Sequence, residues 1–489
     1  MGRAGFRNGR VIPVIRKAAS RHWAKLSWLV FASGAFVSAN ASADVTLWKS
    51  SAGDDGWEIY TNGRVGAFFS WVKGDARPQD TTYDTSKEPF VPLHKVQVDA
   101  CCGVALPFLD IRSQRVLYSD GTDSPLVLSN IDHMRIRSGM MSNVFGFGVN
   151  RKLGPETKVT AYLSIRSTIE SLSQRKFFQQ PPDMREAYFK ISGNWGAVLL
   201  GRALTLFDRG SYEADILYLH GYGVGWVADI TSNAGLPSFG MVGMGVMAGN
   251  YAAGAVYSTP ALAGVQLHAG LYDPASFSGT AVARTKYPRG EFELAADESF
   301  GTLGKTHLYL NGTTQTLYRV GKGDENTETV RGIGYGARVE LGPVRVAGGG
   351  HRGEGIGFTY FGGAGSVDSS IMNDGVRAQL RSTQGFYAIG SVTLLGKVDL
   401  NAGYGISTAK VLNDDLQPDP MGMNINPATG AVDPAVSYIN SQQAVSGAVV
   451  YHAADWLHID VDVLSATFKW NLGEKQHVNF YNVGTTVTW

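Results

Sequence analysis

Alternation with a period of two residues runs through most of this chain and constrains its fold more than any other feature. From Lys158 to Glu170, Lys158, Thr160, Tyr162, Ser164, Arg166, Thr168 and Glu170 fall on one face, and Val159, Ala161, Leu163, Ile165 and Ile169 on the other. Lys397 to Ser407 repeats the pattern, with Asp399 and Asn401 against Val398, Leu400, Ala402, Tyr404 and Ile406. Leu457 to Val463 sets His458, Asp460 and Asp462 against Leu457, Ile459, Val461 and Val463. Side chains of a β-strand alternate between faces, so each stretch reads as a strand with one wet and one apolar side.

A soluble β-sandwich also alternates, so the connections decide the fold class. They switch between short and long: Ser258 to Gly264, Gly342-Pro343 and Leu395-Gly396 are tight, whereas 73–133 and 412–439 are long. Short turns at one end and long loops at the other are the plan of a membrane barrel. The pattern predicts sixteen strands, at 57–72, 134–149, 158–170, 185–192, 197–204, 249–257, 265–273, 291–298, 306–318, 331–341, 344–352, 380–394, 397–410, 441–452, 457–469 and 477–489. An even number lets the sheet close on itself, which a bilayer requires because an open edge would leave backbone groups unpaired in lipid. Sixteen strands enclose an aqueous channel rather than a packed core. The expected fold is therefore all-β, a 16-stranded antiparallel transmembrane β-barrel with short periplasmic turns and long external loops.

Composition is meaningful only once the N-terminus is set aside. Residues 1–25 carry seven basic residues and no acid, Leu26 to Val37 is apolar, and Ala41-Ser42-Ala43 ends a run of small residues. That is the layout of a secretory signal peptide over 1–43, with Ala39-Asn40-Ala41 as a second cleavage frame; the apolar run is too short for a membrane anchor. Removing it lowers the basic residues from 43 to 36 against 42 acidic ones, a net −6. Such a balance gives no reason to expect a nucleic-acid partner. Glycine, at 61 of 489 residues, is in excess of the usual share of about 7%. The only cysteines, Cys101 and Cys102, are adjacent, so neither a disulfide framework nor a metal site is expected.

The last strand is the most specific local signal. Tyr481, Val483, Thr485, Val487 and the terminal Trp489 share one face, and Asn482, Gly484, Thr486 and Thr488 the other. A chain ending on an outward aromatic suits a barrel whose aromatic girdles mark the membrane interfaces. This segment, with Arg185-Glu186-Ala187-Tyr188-Phe189-Lys190-Ile191-Ser192-Gly193-Asn194-Trp195-Gly196 and the following Val198-Leu199-Leu200-Gly201-Arg202, resembles the general porins of Gram-negative outer membranes. The resemblance implies a homotrimeric diffusion channel in the outer membrane, in contact with lipid and lipopolysaccharide, with a third loop folded into the pore. Here that constriction loop is 205–241 within a porin barrel spanning 44–489.

A porin acts through a field and a width. On the resemblance, the loop-3 acids Asp208, Glu213, Asp215 and Asp229 are candidates to face the lumen, and neutralising Glu213 and Asp215 is expected to lower cation preference. Strand parity offers Arg64, Arg135, Arg137, Arg166, Lys190 and Arg202 as the opposing basic wall. Facing rows of opposite charge orient a solute's dipole and penalise apolar molecules. A charged residue on any wet barrel face can equally be a solvated group or half of a wall salt bridge.

Three other readings compete with a general channel for small hydrophilic solutes and ions. A sugar- or phosphate-selective channel needs an aromatic slide or a basic binding site, and the loop holds Phe207, Tyr212, Tyr218, Tyr222 and Trp226. A barrel enzyme needs a converging nucleophile, base and acid. The ten histidines are scattered singly and no G-x-S-x-G or H-E-x-x-H occurs, so no catalysis, cofactor or metal is expected. A structural barrel or adhesin is the third class, which conductance would distinguish.

Overall fold

The computed structural model describes residues 44–50, 56–75, 131–139, 143–167, 183–207, 209–217, 241–247, 250–275, 287–319, 327–357, 361–363, 379–412 and 439–489, with short pieces of the remaining loops. The expected leader over 1–43 and the pair Cys101-Cys102 lie outside the described residues.

A short strand, β1 (Val45–Lys49), is followed by β2 (Trp57–Gly74) and by a second barrel strand in two pieces, β3 (Ile131–Arg137) and β4 (Asn143–Leu153). Then come β5 (Thr157–Ser167), β6 (Asp183–Gly193), β7 (Gly196–Leu204), the helix α1 (Arg209–Ala214), β8 (Tyr251–Ser258), β9 (Val265–Tyr272) and β10 (Arg289–Ser299). The ring continues through β11 (Lys305–Arg319), β12 (Thr327–Leu341), β13 (Val344–Glu354), β14 (Ser382–Leu394), β15 (Val398–Ala409), β16 (Ile439–Ala454), β17 (Leu457–Trp470) and β18 (Lys475–Thr488). With β3 and β4 taken as one, the closed antiparallel barrel has sixteen strands, as the alternation predicts.

Each strand pairs with its chain neighbour, and β2 closes the ring on β18 from Arg64↔Thr488 to Gly74↔Val478. The seam holds two further features. Gly63 and Trp489 exchange both backbone hydrogen bonds, at 2.8 and 3.0 Å. Where β18 runs out, β1 takes over the same edge of β2, pairing Val45 with Thr61 and Lys49 with Glu58. Laid end to end on one edge of β2, β1 and β18 leave fewer open N–H and C=O groups, the condition lipid imposes. The alternation did not point to β1, whose Val-Thr-Leu-Trp-Lys run is only five residues long.

The second strand departs from the expected single span 134–149. Ser138 and Gly139 break it, Gly139 with φ of 86°, a left-handed value that favours glycine. The N–H of Gly66 opposite the break is satisfied by the Asn143 side-chain carbonyl at 2.8 Å, in place of a ladder partner.

The two faces separate as the pattern requires. Leu308, Leu310, Ile333, Tyr335, Val461, Val463, Tyr481 and Val483 are all exposed on the outside, forming an apolar belt with Trp57, Trp195 and Trp456. Their odd and even neighbours, including His458, Asp460, Asp462 and Asn482, are buried on the inner face.

Glycine has a specific use on the inner wall. Gly332, Gly336, Gly349, Gly385 and Gly405 face inward, and a Cβ on Gly405 would strike the Met244 carbonyl, while one on Gly245 would strike the Phe386 carbonyl. The excess glycine thus makes part of the wall flat enough for a loop to lie against it.

Candidate functional site

The chain leaving β7 follows the inner wall in strand order. Leu206 is buried with Val256 of β8 and Tyr272 of β9. The Phe207 N–H donates to Glu291 Oε2 on β10 at 2.8 Å, and Thr313 Oγ1 donates to the other oxygen at 3.3 Å. In α1, Arg209 Nε donates to Glu293 Oε1 at 2.9 Å, with a second, shorter contact from Nη2. Gly210 lies on the Tyr309 ring of β11, so close that a Cβ would overlap it. Arg338 of β12 donates to the Glu213 carbonyl.

A second described piece, 241–247, continues round the wall. Gly245 N–H donates to Ser407 Oγ at 2.8 Å, His351 Nδ1 lies 3.2 Å from the Gly245 carbonyl, and Gln442 donates to the Gly243 carbonyl. Its apolar residues Met241, Val242, Met244 and Val246 join Ile216 and Leu217 in a buried cluster with Leu464, Phe468, Val478, Phe480 and Val72 of the barrel. Burying such side chains against the wall contributes roughly 1.5–3 kcal/mol each before ordering costs. This inner wall from β16 to β2 is therefore a core covered by the described loop pieces. Sequence periodicity gave no sign of it, because the loop residues involved carry no repeat.

On the remaining arc the inner wall is polar and aromatic. Tyr60, Tyr162 and Tyr188 form one row: Tyr60 stands opposite Gly148, Gly148 opposite Tyr162, and Tyr162 opposite Tyr188. Their ring centroids are 6.5 and 5.5 Å apart, and Tyr162 Oη donates to Asn62 Oδ1 at 2.9 Å. Among the described loop residues, none belongs to this cluster.

The expected site residues fall in different places. Glu213 is partly exposed, with His307 Nε2 at 3.6 Å and Arg209 Nε at 3.8 Å. Burial pushes its carboxyl up to about 7; Glu293 and Asp297 add to the shift and Arg209 and His307 oppose it. Asp215 is fully buried and its Oδ1 accepts from the Leu217 N–H at 2.9 Å, so it holds the turn after α1 and borders no water. Asp208 and Asp229 lie outside the described residues.

Of the basic set, Arg166 is buried, 3.5 Å from Glu186 and donating to Tyr251 Oη at 2.9 Å across the face of that ring. Lys190 is half-buried opposite Thr160 and Leu199 and within electrostatic range of Arg209 and Lys158. Arg64 is half-buried beside the seam, within range of Asp460. Arg135 and Arg137 stand in register with Ser70 and Phe68, and their side chains lie outside the described set.

Arg202 corrects the expected parity. It is exposed on the outer face with Leu200, its Nε donating to the Arg185 carbonyl at 3.2 Å. The turn between β6 and β7 has two residues, pairing Gly193 with Gly196 and Lys190 with Leu199, so the inner face changes from even to odd numbers. Even parity carried across that turn puts Arg202 on the wrong side.

Several titratable or charged residues of the wall and of α1 were not singled out from the sequence: Arg209, Arg289, Glu291, Glu293, His307 and Arg338. Glu291, Glu293 and Asp297 alternate with Phe292, Leu294 and Ala296, a period-two signal in a segment already read as a strand.

A closed sixteen-stranded barrel with an apolar outer belt and a charged inner wall defines a membrane channel. A family model described as Gram-negative porin matches residues 30–415, and the chain belongs to that family. It is an outer-membrane channel of the Gram-negative type. Among solved structures, it is similar to the outer membrane channel DcaP of Acinetobacter baumannii, at 13% identity over 90% of this chain and 99% of that one, with a TM-score of 0.56. It is also similar to the anion-selective porin from Comamonas acidovorans, at 13% identity over 88% and 100% of the two chains, with a TM-score of 0.50. At such identity these two likenesses speak for the fold. None of the curated protein sequences matches. Family and fold are those of a channel rather than an enzyme.

Proposed function

We propose that the protein conducts small hydrophilic solutes and ions by passive diffusion, with its narrowest section where the described pieces 205–207, 209–217 and 241–247 lie on the wall. The observation carrying this reading is the order of contacts of the loop root, from Leu206 on β8 and β9 to Glu213 beside β12. On this reading the route for solutes runs along the arc from β4 to β7, past Lys190, with Arg135 and Arg137 as further candidates and Arg166 held in the wall by Glu186 and Tyr251. Glu213 supplies the loop's charge on the other side, and Arg209 and His307 beside it temper that charge. A homotrimer seated in lipid and lipopolysaccharide, made from a precursor cleaved near Ala43, completes the proposal.

A substrate-selective channel is the second reading, for which the tyrosine row supplies aromatic rings on the inner wall but not the slide such a channel uses. The row is a belt at one level rather than a slide along the axis, and Phe207 and Tyr212 of the loop are buried in packing. Planar-bilayer recording separates the readings: conductance steps in threes with flux linear in solute support a trimeric general channel, and saturable block by a sugar or phosphate supports a selective one. Absence of conductance from folded protein overturns both.

A further inference from the structure

The outer face of the last hairpin changes character toward the loop end of the barrel. Val463 of β17 stands opposite Tyr481 of β18, and Tyr481 opposite Trp71 of β2, all at outward positions. The rings of Trp71 and Tyr481 are 5.5 Å apart, and the Trp71 indole N–H donates to Asp132 Oδ1 at 2.9 Å. An indole at the edge of an apolar belt, with its N–H in a polar contact, marks the boundary between hydrocarbon and water. Beyond that boundary every outward position of the hairpin is polar: Ser465 opposite Asn479, Thr467 opposite His477, and Lys469 opposite Lys475.

Lys469 and Lys475 are both exposed, and directly opposed positions of an antiparallel pair put their Cβ atoms about 5 Å apart, close enough for like charges to disfavour the pairing. Neither side chain has an ion pair or hydrogen bond among the described residues. Glu474, next to Lys475 in the chain, shares the inward parity of Gln476 and has its Oε2 buried. Ser441, opposite Lys469 on β16, brings no charge. On the other side of β18, Asp75 Oδ2 accepts the His477 backbone N–H at 2.9 Å, and the Lys73 ammonium lies 5.9 Å from the centre of the Trp71 ring. The acids of this region, Asp75 and Asp132, are thus held by a backbone amide and an indole. One step below the lysines, Thr467 Oγ1 and His477 Nδ1 are 3.0 Å apart.

We infer that Lys469 and Lys475, with Thr467 and His477 below them, dock a phosphate group of an anionic glycolipid headgroup in the outer leaflet. The inference deepens the lipid and lipopolysaccharide contact proposed above and rests on it. An ammonium group offers three donors and no acceptor, so the two lysines supply donors to the phosphate oxygens from both strands of the hairpin. The phosphate in turn removes the repulsion between them. The outward face leads without a break from Val463 and Tyr481, 40% and 42% exposed, to the lysines. Acyl chains seated on the apolar part therefore bring the headgroup of the same lipid to the basic part. A free phosphate has the same oxygens but nothing to place on the apolar part, and this favours the lipid as occupant.

Native mass spectrometry of the full chain in an uncharged detergent, titrated with diphosphoryl lipid A, tests the site. The readout does not use conductance, so failure of the channel reading and failure of the site are told apart. The expected result is saturable retention of the lipid, weakened at least about tenfold in Lys469→Gln/Lys475→Gln. Retention is expected to be unchanged in Lys305→Gln/Lys397→Gln, which removes the same charge from exposed positions at the short-turn end, and in Lys469→Arg/Lys475→Arg, which keeps both charges. Lipid A stripped of its phosphates is expected to bind the wild type as weakly as the intact lipid binds Lys469→Gln/Lys475→Gln. Heat-modifiable migration on gels checks that each variant keeps the barrel. No saturable retention by the wild type, equal loss in the two glutamine variants, or equal retention of the phosphate-free lipid overturns the proposal. So does displacement of the lipid by inorganic phosphate at the same concentration, which marks the lysines as a site for the free ion.

Discussion

At the scale of single residues, the two described loop acids differ: Glu213 is partly exposed, and Asp215 two positions on is buried in the turn. Replacing Glu213 with Gln is expected to lower cation preference, whereas Asp215→Ala leaves the reversal potential unchanged and destabilises the turn that Leu217 closes; equal effects of the two on reversal potential contradict this assignment. With the Glu213 carboxyl pushed up to about 7 by burial, it is neutral below that pH and anionic above it. Cation preference of the wild type therefore rises between about pH 6 and 8, and Glu213→Gln flattens that rise. Gly405 offers a steric test. A valine there must displace the Met244 carbonyl, an overpacking that costs about 1–3 kcal/mol, and a lower thermal midpoint on gels with increased conductance noise is the expected signature. Legibility differed between these residues. A charge at Glu213 could be read from the sequence, but the burial of Asp215 depends on apolar loop contacts that no periodicity announces.

Among elements, the strands were legible because membrane and water enforce a strict two-residue alternation on every one of them. All sixteen expected spans correspond to barrel strands, although Ser138-Gly139 divides the second. Parity within a strand was equally legible, as Asp460 and Asp462 show. Parity carried across a turn was not, because a two-residue turn exchanges even for odd, which placed Arg202 wrongly. The short β1 escaped notice since five residues give too few periods to count. Its role is nevertheless testable. A chain lacking 45–49 exposes the edge of β2 at Glu58 to Thr61, and at about 1 kcal/mol per hydrogen bond the loss is on the order of 2–4 kcal/mol. Urea unfolding of the folded barrel in lipid measures it, and an unchanged midpoint shows that β1 contributes nothing.

For the whole molecule, stability depends on an apolar exterior meeting lipid. Val463 lies mid-strand on β17 and is 40% exposed, so Val463→Arg is expected to destabilise the inserted barrel by about 2–4 kcal/mol, read as a lower urea midpoint in lipid vesicles. The same change at Ala466, which is buried on the inner face, acts instead by disrupting the packed cluster beneath the loop. The seam between β2 and β18 carries a kinetic meaning beyond its geometry. Gln476 Nε2 donates to the Asp75 carbonyl across a sequence separation of 401 residues, whereas every other pair of neighbouring barrel strands joins segments adjacent in the chain. Contacts of such high order form last, because loop-closure entropy must be met before any contact rewards it. Until then β2 and β18 each present a bare edge that the hydrocarbon interior rejects. Pairing of β2 with β18 is thus expected among the last steps by which the barrel forms.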